Sequence, residues 1–116
     1  LVGTGLFDFG DRDGPLPEAR LQHALGLTLW RDRKLLVADT YNHKLKVLDL
    51  EAGTLDSVLG DGRPGSRLGD GGARLNEPGG VALAGDRVLI ADTNNGRVIS
   101  YAPETGRTSQ WVPATD

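Results

Sequence analysis

Not one of the 116 residues is cysteine, which excludes disulfides, thiolate chemistry and cysteine-ligated zinc, and leaves the redox compartment open. An excess of positive charge is missing too. Thirteen Lys and Arg stand against sixteen Asp and Glu, a net charge of −3 at pH 7. Phosphate recognition needs a concentrated basic face, so this balance argues against a nucleic-acid partner. No apolar run approaches the ~20 residues of a membrane-spanning helix. The opening "LVGTGLFDFGDRDG" has neither a basic n-region nor a sustained apolar stretch, so it does not read as a secretory signal. It also starts without methionine, which suggests an excised or processed fragment. A convincing helical apolar period is absent throughout.

Turn formers, by contrast, are plentiful. Seventeen glycines and six prolines point to short strands joined by tight turns. Pro15, Pro17, Pro64, Pro78, Pro103 and Pro113 all fall between apolar runs or at their ends, where they remove no ladder hydrogen bond.

The chain also says the same thing twice. "LLVADTYNHKLKVL" at residues 35–48 is matched by "VLIADTNNGRVISY" at residues 88–101. Upstream, "EARLQHALGLTL" at 18–29 aligns with "GARLNEPGGVAL" at 72–83. A glycine-and-acid loop precedes each "ARL", and a one-residue deletion separates the turns "WRDRK" and "AGDR". Self-similarity at this period marks a repeat architecture, with one repeat and its preceding loop over residues 1–59 and the next over 60–116. Each repeat reads as four strands: "GLTL" or "GVAL", "LLVAD" or "VLIAD", "KLKVLDL" or "RVISYA", and "LDSVLG" or "TSQWV". The second strand of each is almost continuously apolar, which predicts cover on both faces. An all-β protein follows, with two four-stranded antiparallel propeller blades. A single eight-stranded β-sandwich is the alternative, though it explains less well why the loop repeats as well.

Gly-Gly-Ala-Arg-Leu-Asn-Glu-Pro-Gly-Gly-Val-Ala-Leu, followed by Leu-Ile-Ala-Asp-Thr-Asn-Asn-Gly-Arg-Val, resembles an NHL repeat. Copy one matches it at Ala19-Arg20-Leu21, at Gly26-Leu27, and at Val37-Ala38-Asp39-Thr40 with Asn42-His43-Lys44. It departs at Leu25, beside the turn that carries Pro78 in copy two. The resemblance implies the blades of a β-propeller, usually six-bladed. The long glycine-acid loop is similar to that of NHL propellers attached to thioredoxin-like domains.

Asp39 and Asp92 invite a metal or general-base role, but a carboxylate repeated in every blade serves blade geometry. At a strand end it accepts from backbone N–H groups of the turn and meets Lys44 or Arg97 across the hairpin. Asn42 and Asn95 share that hairpin. His43 stands where copy two has Gly96, which predicts a left-handed turn residue rather than a ligand. His23, opposite Glu77, gives no support for zinc. The acid-glycine loops lack a full calcium pattern and read as solvated turns. "GTG" and "GDG" lack the helix and Lys-Ser/Thr of a phosphate cradle. Trp30, Arg31, Arg33 and Lys34 form an aromatic-basic turn, read as a surface contact, while Trp111 is placed in the core of the fourth strand.

No catalytic residue, metal or cofactor is expected. The leading reading is a non-enzymatic scaffold or protein-interaction module, because the resemblance implies rigid platforms whose loops bind protein or RNA. An enzyme akin to the calcium-dependent lactonases and lyases of six-bladed relatives is the runner-up. An RNA-binding domain is the third reading, weakened by the acidic balance. Two blades leave apolar faces uncovered, so self-association into a homotrimeric six-bladed ring is expected, or else the remaining blades lie elsewhere in a parent protein.

Overall fold

A computed structural model describes residues 10–22, 24–31, 33–69 and 72–111. Among the described residues nine strands form two sheets, all of whose pairings are antiparallel. The first sheet holds β1 (Gly14–Pro15), β2 (Gly26–Leu29), β3 (Lys34–Asp39), β4 (Lys44–Asp49) and β5 (Thr54–Leu59), in the order β1-β5-β4-β3-β2. The second holds β6 (Gly80–Ala84), β7 (Arg87–Asp92), β8 (Arg97–Ala102) and β9 (Arg107–Gln110), in sequence order. Strands β2–β5 and β6–β9 are each a meander whose neighbours in sequence are neighbours in space, which short turns enforce, and β1 adds to the first sheet at the free edge of β5. Among the described residues there is no α-helix, only the 3-10 turns Thr40–Asn42 and Thr93–Asn95. Among these residues no helix is therefore long and apolar enough to cross a membrane.

Every expected strand of each repeat is present, with three departures. β1 falls inside the loop read as a solvated turn, and it pairs with β5 through Gly14 opposite Leu55. A proline is tolerated there because β1 is an edge strand. The last strand ends at Gln110, and Trp111 is 43% exposed rather than in the core. Val58, which aligns with it in copy one, is likewise exposed. Finally, β3 is covered on both faces as expected, but β7 is not: Val88 and Ile90 are buried while Ala91 is exposed. Among the described residues no second sheet lies against that side of β7.

The two sheets pack face to face, with a close approach of β2 to β6. A Cβ on Gly26 would stand 2.8 Å from the Gly80 Cα and 3.1 Å from the Ala38 Cβ, so β2 can approach β6 this closely only because residue 26 is glycine. Between the sheets lies a core of Leu36, Leu45, Val47 and Leu59 against Val88, Ile90, Ile99 and Tyr101. Ala73 and Leu75, from the loop that enters the second sheet, complete it. Each fully buried aliphatic side chain here contributes about 1.5–3 kcal/mol, so the junction between repeats is a major source of stability. A second cluster covers the far face of the first sheet, where Leu16 and Ala19 of the entering loop close over Val37, Leu48 and Leu55. The loop before each repeat thus lies on the same face of its own sheet. The repeats are stacked with a direction.

Candidate functional site

Asp39 and Asp92 end β3 and β7 and are fully buried. Asp39 Oδ1 accepts from the Gln22 backbone N–H at 2.7 Å, and Asp92 Oδ1 accepts from that of Asn76 at 2.7 Å. These donors lie in the loop entering the sheet, not in the hairpin turn that sequence spacing suggested. Oδ2 takes the Asn42 amide at 2.8 Å in one repeat and the Asn95 amide at 2.8 Å in the other. Each asparagine also donates to the incoming loop, Asn42 to the Gly10 carbonyl at 2.6 Å and Asn95 to that of Gly65 at 2.7 Å. One carboxylate and one amide therefore stitch loop, strand and turn together in each blade. Among the described residues no buried side-chain nitrogen or oxygen lacks a partner.

The cation differs between repeats. Arg97 Nε reaches Asp92 Oδ2 at 2.9 Å, as the hairpin register predicts. Lys44 holds the same register position opposite Asp39, yet its ammonium pairs with Asp11 at 2.7 Å. Asp39 is served instead by Lys46, at 3.2 Å. The Lys46 side chain is 0% exposed. Its Nζ also meets Asp11 Oδ1 at 2.8 Å, Asp13 Oδ1 at 3.4 Å and the Arg20 carbonyl at 3.2 Å. Burial raises the Asp11 carboxyl, but the hydrogen bonds and charges of Lys44 and Lys46 outweigh it and hold it below the ordinary range. For Lys46 burial works against the charge, and Asp11 and Asp39 more than offset it, so its ammonium is held above the ordinary lysine range. The "GDRDG" loop is thus clamped onto the blade by its aspartates while Asp11, Arg12 and Asp13 stay exposed to solvent. Sequence reasoning passed over Lys46, although a signal was there: it stands where copy two carries the core residue Ile99.

Two further residues bridge the blades. The Thr40 hydroxyl donates to the Pro78 carbonyl at 2.8 Å, and the Glu77 backbone N–H donates to His43 Nδ1 at 3.0 Å. His43 is left-handed at φ 57, like Gly96 at φ 63. Its ring gives it a task beyond the turn. His43→Gly is expected to destabilise the chain by about 1 kcal/mol although glycine suits that backbone better, because the junction N–H loses its acceptor. Urea denaturation would measure this, and a stabilised variant would show the bond to be worth nothing. His23 lies outside the described residues.

Trp30 is half-buried against the junction core, with the Arg31 guanidinium 4.2 Å above its ring. Arg31 crosses to Glu104 of the second sheet at 3.2 Å, while Arg33 is exposed and Lys34 approaches Asp49 at 4.0 Å. Trp30 and Arg31 thus meet at the rim between the blades, beside Gly85, Asp86 and Arg87, around a crevice of about 190 Å³. Lys34 turns to its own hairpin. Among the described residues no group of three or more His, Cys, Asp or Glu side chains is placed to hold a metal ion.

Stacked four-stranded meanders with a repeated carboxylate node define a tandem β-blade protein. The NHL repeat family matches residues 75–99, from the entering loop through Asp92, Asn95 and Arg97 into β8. NHL repeat-containing protein 2 of Bos taurus is 43% identical over 98 residues, covering 80% of this chain and 14% of the relative. The Gallus gallus protein of the same name is 44% identical over the same shares. Protein SUPPRESSOR OF QUENCHING 1, chloroplastic, of Arabidopsis thaliana is 42% identical over 92 residues, 78% of this chain and 9% of its own length. The chain belongs to the NHL-repeat family, and it spans about 14% of the length of the animal relatives. A structural-genomics protein of unknown function from Bacteroides thetaiotaomicron superposes with a TM-score of 0.64 at 16% identity, over 94% of this chain and 24% of that one. That likeness shows the fold.

Proposed function

We propose that the chain is a non-enzymatic platform, two blades of a larger propeller whose rim loops engage a protein ligand. One observation carries this reading: the polar groups common to both repeats are spent on the blades themselves. Both carboxylate oxygens of Asp39 and Asp92 and the amide nitrogens of Asn42 and Asn95 are engaged by neighbouring loop and turn atoms. A carboxylate bound in this way is not free to take a proton from a substrate or to ligate a cation. At the rim the repeats differ in the Trp30–Arg31 pair, where copy two has Ala84 and Gly85. Half-buried tryptophan and arginine are the residue types that anchor protein interfaces. The complete ring has further blades beyond these two, since stacked units need roughly three or more for stability. In our reading it is six-bladed, as the family resemblance implies.

Calorimetric titration with calcium and with zinc tests the non-enzymatic side of this reading. No stoichiometric transition is expected. A site tighter than about micromolar, or turnover of a lactone substrate by the isolated chain, would overturn it.

A further inference from the structure

The two repeats differ in what the entering loop brings against the third and fourth strands of its sheet. In the first repeat Leu16 of that loop closes over Leu48 and Leu55. Those two align with Tyr101 and Thr108 of the second repeat. The loops share a register at this level, since Gly14 pairs with Leu55 and Gly69 with Thr108. From that glycine to the buried alanine of "ARL", copy one reads "GPLPEA" and copy two "GDGGA". The second version is one residue shorter and holds no leucine. Here the junction between the sheets has a crevice of about 360 Å³, walled by Val58, Leu59 and Asp61 on one side and by Ala73, Tyr101 and Gly106 on the other. Leu59, Ala73 and Tyr101 belong to the core between the sheets, so the crevice lies on neither outward face.

Tyr101 is only 8% exposed, yet its hydroxyl has no hydrogen-bond partner among the described residues. Because no fully buried side-chain oxygen there lacks a partner, this oxygen is where the residue reaches open space, in the crevice. Burial pushes the phenol above its ordinary range, so it stays a neutral donor in neutral solution. The other polar side chains of the crevice are engaged. Ser57 Oγ donates to Asp13 at 3.0 Å, and Asp61 accepts from the Arg63 N–H and from Arg74 Nε, both at 3.0 Å. Copy two thus sets a tyrosine where copy one has a buried leucine, and the added hydroxyl bonds to nothing described in the chain. Buried hydroxyls are ordinarily paired. Ligand pockets of roughly 300–1,000 Å³ have this make-up, apolar walls with one or a few convergent polar groups.

We propose that this crevice binds a neutral small molecule, an apolar body bearing one oxygen that accepts from the Tyr101 hydroxyl. Val58, Leu59 and Ala73 take the apolar part. The Asp61 carboxylate disfavours an anion, and because it is already paired with Arg74 it does not require a cation. The site shares no lining residue with the rim crevice at Trp30 and is separate from it.

A fluorine NMR titration with para-fluoroacetophenone, a neutral ring carrying one carbonyl, is the test. Saturable binding at one site per chain is expected. Tyr101→Phe removes only a hydroxyl without a partner, so it is expected to keep the wild-type melting temperature and to weaken binding about fivefold. Val58→Trp lays a large ring over an exposed wall and is expected to abolish saturation. The anion para-fluorobenzoate is expected to bind at least about tenfold more weakly than the ketone. No saturation by ~5 mM ketone overturns the proposal. So does equal affinity in Tyr101→Phe, or a lowered melting temperature in that variant, which would show the hydroxyl spent within the fold. None of these results touches the platform reading, which stands or falls on metal binding and turnover.

Discussion

Alanine at Asp39 or at Asp92 is expected to lower the unfolding free energy by about 3–5 kcal/mol, as removal of one partner of a buried ion pair does. A domain of this size holds ~5–15 kcal/mol in total, so either change brings it near the edge of folding. At Asp92 the loss strands the Asn76 N–H, one bond of the Asn95 amide and the Arg97 guanidinium, of which the last is only 12% exposed. At Asp39 it strands the Gln22 N–H and removes a counter-charge from the fully buried Lys46. Each orphaned N–H alone costs ~1–3 kcal/mol. Asparagine at the same positions keeps an acceptor for the loop N–H and is expected to fall between wild type and alanine. Denaturant melts of the four variants decide the matter. Unchanged melting points together with lost binding of a metal or ligand would make these carboxylates functional rather than structural.

The strands were legible because they are local: alternation, turn residues and the duplicated register each act over a few positions. Register even placed Arg97 on Asp92 correctly, since a hairpin partner five residues away is set by the turn. The same logic misplaced Lys44. Its ammonium goes to Asp11, 33 residues upstream in the numbering, and no local rule brings that loop to β4. The loop's own pairing as β1 was hidden for the same reason, being fixed by β5 about 40 residues on. Trp111 was misread because the fourth strand stops at Gln110, so the tryptophan follows the strand instead of lying within it. His43 was legible as a turn residue from Gly96, but not as an acceptor for Glu77, because that bond exists only once the blades have stacked. Alignment of the repeats did hold one overlooked clue, a lysine in the place of an isoleucine.

That lysine gives the second large effect. Lys46→Ile, which copies Ile99 of the other repeat, is expected to cost about 3–5 kcal/mol at neutral pH although it makes the position more apolar. It leaves buried Asp39 without a cation and takes one counter-charge each from Asp11 and Asp13, which keep Lys44 and Ser57 as partners. Adding Lys44→Arg places on Asp39 the kind of guanidinium that Arg97 gives Asp92, and is expected to recover part of the loss. The pH dependence identifies the clamp. Asp11, held low by the two lysines, contributes stability above the ordinary carboxylate range near ~4 and loses it as pH falls through its depressed value. Lys46, held high, contributes below the ordinary lysine value near ~10.4 and loses it as pH rises through its elevated one. The gap between wild type and Lys46→Ile is therefore expected to be flat from about pH 5 to about pH 10 and to shrink on both sides. Urea melts across that range would show it. A gap that does not narrow in acid, where the carboxylates gain their protons, would mean that Lys46 stabilises the blade by packing alone.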